Sequence, residues 1–182
     1  DLRELSLHLG LDESCTAFVV EVAYISGLVT IDPDDRILPT HQFDIWLSQP
    51  ASQKWELLVS SWLVTSRMSG LANRDTSKNV AAMGPELDRS STATIKRCVL
   101  AILKEKSGFA PELASVIAAT QWQLPNRRTG GVPAEYIEWI VREAEWLGLT
   151  GSDALSPYAV ALLDGNEIAA IDTDLQIGRA HV

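Results

Sequence analysis

One pattern is spelled twice in this chain, and it limits the possible folds more than any other feature. A helix stops on Gly-Leu, a short polar stretch follows, and a second helix restarts after Leu-Pro-Thr or Leu-Ser-Pro. VEVAYISGLV (Val20 to Val29) lies over VREAEWLGLT (Val141 to Thr150), with Val, Ala, Gly and Leu at matching places. Gly27 and Gly148 fall where each helix should end, because glycine takes the left-handed C-terminal conformation without a Cβ clash. Thr40 and Ser156 then stand where a hydroxyl can satisfy the free amides of a new helix. Phe43, Trp46 and Leu47 line one face of the first short helix, and Val160 and Leu163 one face of the second. Between helix and cap the first copy holds TIDPDDRIL, whose apolar residues flank an Asp-Pro-Asp-Asp tip, the pattern of a hairpin with a polar turn. The second copy keeps only GSDAL, a clipped version of that hairpin. The expected fold is mainly α with short β-hairpins, built as tandem winged-helix-like (helix-turn-helix) modules.

The chain in order divides into residues 1–66 (first module plus a following helix), 67–91 (connecting loop), 92–165 (second module) and 166–182 (C-terminal linker). It opens on Asp1 with Leu2, Leu5 and Leu9 already at helical spacing, which predicts that further elements precede it. Asp12 or Ser14 caps the next helix, to about Ser26, and this helix holds the recognition position of a helix-turn-helix. It carries no Lys or Arg from Cys15 to Tyr24, so it offers nothing to phosphates or guanine edges, and its apolar character predicts packing on two sides. Trp55, Leu58, Val59, Trp62 and Leu63 have the spacing of a buried helical stripe. In the second module, Thr92 or Thr94 is the expected cap. Ile95, Cys98, Val99, Ile102 and Leu103 form an inward stripe, leaving Lys96, Arg97, Lys104 and Lys106 elsewhere on that helix. Pro111 opens the following helix, which Trp122 and Leu124 close, and Pro133 opens a third. On the third helix Glu135, Glu138, Glu143 and Glu145 outnumber Arg142, and their carboxylates would repel a phosphate backbone.

The formal net charge is −9, from 15 basic and 24 acidic residues, which argues against a free-standing non-specific nucleic-acid binder. Cys15 and Cys98 are isolated on apolar helix faces and read as reduced core thiols of a cytoplasmic protein. No apolar run approaches the ~20 residues of a membrane span. No phosphate-binding Gly-rich loop and no Gly-x-Ser-x-Gly elbow occurs. His8, His41 and His181 stand apart without metal-ligand spacing, and Asp32, Asp34 and Asp35 fit a hairpin tip better than a calcium loop. No catalytic residue, metal site or cofactor is expected, and the chain is not expected to be an enzyme.

Ser66 to Ser91 is the longest stretch without periodicity, and long loops tend to carry function. It brings Arg67, Arg74, Lys78 and Arg89 into one segment, while Arg127 and Arg128 sit together in the polar loop Pro125 to Gly131. These six are the candidate nucleic-acid contacts.

The run Gly27-Leu-Val, the acidic hairpin, Leu38-Pro39-Thr40, Phe43-Asp44-x-Trp46-Leu47 and Trp55-x-x-Leu58-Val59-x-x-Trp62-Leu63 resembles actinobacterial helicase-associated proteins. Those proteins carry a region named for the N-terminal domain of XPB-type helicases. The Leu87 to Ile102 segment and Arg142 to Gly151 look like the same proteins, and this chain resembles the helical region upstream of the named domain. The resemblance implies an accessory, DNA-binding role in DNA repair or transcription, without an ATPase motor in this chain. The partners it implies are DNA and a helicase or other protein, in the cytoplasm or at the nucleoid. The acidic balance and the two base-poor helices favour the alternative of a protein-interaction scaffold whose winged helices do not bind DNA.

Overall fold

The computed structural model describes residues 2–34, 36–72, 80–106, 109–125, 131–151 and 154–165. Among the described residues the chain is mainly helical with two small antiparallel hairpins, and one helix–helix–hairpin–helix order occurs twice. The first pass is α1 (Leu2–Leu9), α2 (Glu13–Ile25), β1 (Val29–Ile31), β2 (Ile37–Pro39) and α3 (His41–Ser48). After α4 (Ala51–Val64) and α5 (Thr92–Glu105) comes the second pass. It comprises α6 (Leu113–Gln123), α7 (Ala134–Trp146), β3 (Thr150–Gly151), β4 (Ala154–Leu155) and α8 (Pro157–Leu163).

The two passes agree bond for bond where helix meets hairpin. Gly27 and Gly148 both have φ +70°. Gly27 N–H donates to the Tyr24 carbonyl and Leu28 N–H to that of Ala23. Gly148 N–H donates to the Glu145 carbonyl and Leu149 N–H to that of Ala144. Each is a paired left-handed stop that satisfies carbonyls left free at the helix end. Thr40 N–H then donates to the Leu28 carbonyl at 2.9 Å, and Ser156 N–H to that of Leu149 at 2.8 Å. The Thr40 hydroxyl donates to the Gly27 carbonyl at 2.6 Å and the Ser156 hydroxyl to that of Gly148 at 3.0 Å. Ser156 also caps α8 by accepting from Ala159 N–H at 3.2 Å. Thr40 makes no such bond to α3, contrary to its expected capping role; its hydroxyl is directed back to Gly27. The matched bonds put Val19 opposite Ile140, Val22 opposite Glu143 and Ala23 opposite Ala144.

The first hairpin pairs Val29 with Pro39, Thr30 with Leu38 and Ile31 with Ile37. Asp32 closes its tip: Oδ1 accepts from the Asp34 and Arg36 amides, each at 2.9 Å, and Oδ2 from Arg36 Nε at 2.8 Å. The bond from the Arg36 amide, foremost, holds the Asp32 carboxyl below its ordinary range. The second hairpin is the shorter, pairing Thr150 with Leu155 and Gly151 with Ala154.

One core joins both passes. Phe18 and Val22 of α2, Val59 and Trp62 of α4, Ile95, Val99 and Leu103 of α5, and Ile137, Ile140 and Ala144 of α7 all belong to it. The tryptophan stripe of α4 is core, with Trp62 wholly buried and Trp55 packed against it. Trp55 Nε1 donates to the Leu147 carbonyl at 2.6 Å, closing the end of α7. The stretch expected as a connecting loop contributes to the same core. Met68 and Leu87 are fully buried, and Arg67 and Asp88 form an antiparallel bridge. Residues 166–182, expected as a linker, lie outside the described residues.

Other expectations meet a different structure. Ser91, not Thr92 or Thr94, holds the cap position of α5, and the buried Thr92 hydroxyl has no hydrogen-bond partner. Cys15 and Cys98 are half-buried rather than core; partial burial pushes both thiols up from their ordinary pKa. Trp122 and Leu124 close α6 as expected, with Trp122 86% exposed. Among the described residues no helix is long and apolar enough to cross a membrane.

Candidate functional site

Of the six expected contacts, Arg74, Lys78, Arg127 and Arg128 lie outside the described residues. Arg67 and Arg89 are described, and internal bonds use both. Arg67 Nε donates to Glu21 Oε2 at 2.7 Å, and Nη2 donates to Glu21 Oε1 at 3.1 Å and to the Gly84 carbonyl at 2.8 Å. The guanidinium lies 5.4 Å from the Tyr24 ring centroid, a cation–π distance. The hydrogen bond to Glu21, foremost, raises the Arg67 pKa further. Arg67 is therefore a structural cation that fastens its segment to α2. Arg89 Nη1 donates to the Glu86 and Asp88 carbonyls at 2.9 and 2.7 Å. The two lie on neighbouring backbone segments, and the guanidinium groups of both are bonded within the chain.

Glu21 fastens the far side of the same segment, because its carboxylate also accepts the Met83 amide. Met83 holds φ +61°, a conformation that costs a bulky L-residue ~1–2 kcal/mol. Met68 N–H donates to the Leu87 carbonyl at 3.0 Å, Arg89 N–H to that of Ser66 at 2.9 Å, and Ser66 Oγ to Asp88 Oδ1 at 2.6 Å. Residues 66–68 and 87–89 thus form a stem, with Glu21 and Arg67 holding it on α2.

A second set of buried polar groups lies where α2, α4, α5 and α7 meet. Glu143 is 2% exposed; its carboxylate accepts from Trp62 Nε1 at 2.7 Å and from the Ser69 hydroxyl. Lys96 is fully buried. Its Nζ lies 4.7 Å from the Trp62 ring centroid and donates to the Trp62 carbonyl at 3.1 Å. That carbonyl is in the last turn of α4, where a cation also complements the helix dipole. Burial pushes the Lys96 amine down to about 8, against the opposing pull of Glu143 and Glu21. Burial pushes the Glu143 carboxyl up, against Lys96 and its two donors. Two cavities border Glu143, of about 10 and 40 Å³. The smaller has about the volume of one water. These groups join the two passes and leave little room for a ligand.

An accessible concavity lies beside the first pass. A groove of about 1090 Å³ opens between α1, the first hairpin and residues 80–85. Leu2, Leu5, Val20, Ile31, Ile37 and Met83 give it an apolar lining, with Glu4, His8 and Arg36 among the polar groups. Arg36 is already paired with Asp32 and Asp34, at 2.7 and 3.0 Å. The first hairpin is exposed on both strands except at the half-buried Val29, and α3 beside it buries no residue. Ile31, Ile37, Leu38, Ile45 and Leu47 are all exposed there. Such aliphatic exposure suits contact with another surface. Compared with known proteins, the chain matches no family model, no curated protein and no solved structure.

Sequence reasoning placed Lys96 off the inward stripe and Glu143 among the solvent-facing carboxylates; both are buried. A second stripe was legible for Lys96: Lys96, Val99, Leu100 and Leu103 share a helical face, so α5 is apolar on two sides. Glu143 sits between Ile140, Ala144 and Leu147 at the same kind of spacing. Nothing in the sequence pairs either of them with Trp62.

Proposed function

We propose that this chain is a non-catalytic, helicase-associated accessory module. In this reading it serves DNA repair or transcription by holding a protein partner, and its two passes are winged-helix-like units that no longer read DNA. The order of helices and hairpin supports the winged-helix-like description, and the resemblance to helicase-associated proteins supports the setting. One observation carries the protein-contact reading: α2, the helix at the recognition position, is packed over most of its surface, with Ser14 and Val19 its exposed residues. It packs against α1, α4 and the 69–71 turn, carries no Lys or Arg, and its Glu21 engages Arg67, one of the expected phosphate contacts. The exposed material beside it is aliphatic hairpin, suited to protein and not to phosphate.

The test is fluorescence anisotropy of the chain against labelled duplex, single-stranded and forked DNA across a salt series. The expected result is no binding beyond that of an unrelated acidic protein, with a pull-down recovering a motor subunit. Micromolar binding that falls steeply with salt would overturn the reading. It would favour a direct DNA-binding role, which the sequence clustering of Arg74 with Lys78 and of Arg127 with Arg128 supports. Alanine at those four positions would then abolish binding.

A further inference from the structure

In the second pass α5 is seated on α6, α7 and β4. Ile140 and Ala144 of α7 and Leu155 of β4 are buried in the core that α5 joins. The bonded correspondence gives each a counterpart in the first pass, and these counterparts are open. Val19, opposite the fully buried Ile140, is 43% exposed, and Ala23, opposite Ala144, is half-buried. The whole of β2, including Leu38 and the Leu155 counterpart Pro39, is exposed. The matched bonds at Gly27 and Gly148 hold each hairpin at the same place on its helix, so the counterparts flank one seat. Among the described helices α4 does not fill it. α4 meets α2 through the core around Phe18 and Val22, and Phe18 points roughly 100° around the helix from Val19.

We infer that this open face of the first pass is a docking seat for a basic amphipathic helix of a partner protein. Such a helix would carry an aliphatic stripe spaced like that of α5. The second pass supplies the shape, because α5 joins the core that holds Ile140, Ala144 and Leu155 through Ile95, Val99, Leu100 and Leu103. Charge supplies the sign. Residues 1–66 carry ten carboxylates against three cationic side chains, whereas α5 carries Lys96, Arg97 and Lys104 against Glu105. A helix with an aliphatic face and a basic back would cover Val19 and Pro39 and meet the acidic first module favourably. The inference rests on the protein-contact reading above and names the chemistry of the partner.

The probe is a fluorescein-labelled, hydrocarbon-stapled peptide of residues 91–106, titrated into the whole chain and followed by anisotropy. Stapling removes most of the cost of folding an isolated short helix. The expected dissociation constant is on the order of 10 μM, weakened at least ~10-fold by Val19→Glu or Pro39→Glu. Both substitutions are at exposed positions, and an unchanged melting temperature establishes that each variant is folded. Replacing Arg97 and Lys104 of the peptide with Gln should also weaken binding. No saturable binding, or binding indifferent to both chain substitutions, overturns the inference. So does a concentration-dependent dimer of the chain that Pro39→Glu dissolves, because the seat then belongs to a second copy. Salt-steep DNA binding with the peptide result intact would remove the functional reading alone. Peptide failure with DNA still unbound would remove the seat alone.

Discussion

The buried amine of Lys96 should leave a signature in how stability depends on pH. Its pKa falls from 10.5 to about 8 on folding, with burial as the leading cause. The unfolded chain therefore holds the Lys96 proton more tightly than the native one. This group contributes stability that rises with pH between the two values, and its charged form costs the fold below 8. A depression of this size costs roughly 3 kcal/mol at pH 7, and about 2 kcal/mol of that is recovered by about pH 9.5. Other lysines and tyrosines titrate in the same range, so the comparison is with Lys96→Met, which keeps the bulk and removes the proton. Urea unfolding followed by tryptophan fluorescence at the two pH values gives both stabilities. The difference, wild type minus variant, should grow by about 2 kcal/mol toward the alkaline side. Loss of the amine from the Trp62 carbonyl is the same at both pH values and cancels. Glu143, its carboxyl already raised by burial, loses its nearby cation in the variant, which widens the difference in the same direction. A difference that stays constant to within ~0.5 kcal/mol would refute the argument, because Lys96 would then be titrating as a solvated amine.

Four further outcomes follow from the same geometry. Glu143→Gln should destabilise by ~3 kcal/mol in urea unfolding because Lys96 loses its compensating carboxylate, and a double-mutant cycle with Lys96→Met should show coupling of ~1–3 kcal/mol. Thr92→Val should raise stability by ~1 kcal/mol in thermal unfolding, since it removes a buried hydroxyl without a partner at nearly constant shape. Gly27→Ala and Gly148→Ala should cost similar amounts, ~1–2 kcal/mol each. Both have φ +70° and a Cβ there would meet no atom within 4 Å, so the loss is in the backbone alone. Gly70→Ala should cost ~2 kcal/mol or more, because a Cβ at Gly70 would overlap the Trp139 ring, which stacks on Tyr136 at 5.4 Å.

The repeat was legible because its signals are local. Gly27 and Gly148 announce a conformation that few other residues tolerate, and the apolar spacing of α2, α4 and α5 announces a helix wherever it occurs. The hairpin tip was legible for the same reason, since Asp32 is two and four residues from the amides it accepts. Long-range pairing was not. Glu21 and Arg67 are forty-six positions apart, and Trp62 and Glu143 eighty-one. Periodicity says which face of a helix turns inward and is silent on which inward polar group meets which. It also treats a charge on an apolar face as a surface residue, the usual case, so it gives Lys96 and Glu143 no place in the core. Arg67 shows the limit most clearly. In the sequence it is one of several cations in an aperiodic stretch; its role is set by a carboxylate on another helix.

What the repeat does not repeat is as informative as what it does. Both passes turn the same face of their second helix toward the junction: Phe18 lies opposite Trp139 and Val22 opposite Glu143. Among the described residues only the second pass places a charge there, and only the second has a helix over its other side. The two differences are linked through α5. Its Ile95 and Val99 face joins the core around α7, and on another side its Lys96 reaches the end of α4 beside Glu143. A helix that closes the second pass therefore also supplies the cation that makes Glu143 tolerable at the junction. The first pass has Val22 at that position, so it needs no such cation to keep its junction side stable. Its other side can remain open without leaving a buried charge behind. Glu21, the carboxylate that α2 does bury, is neutralised instead by Arg67 from within the chain, so the open face of the first pass imposes no electrostatic penalty on the free protein.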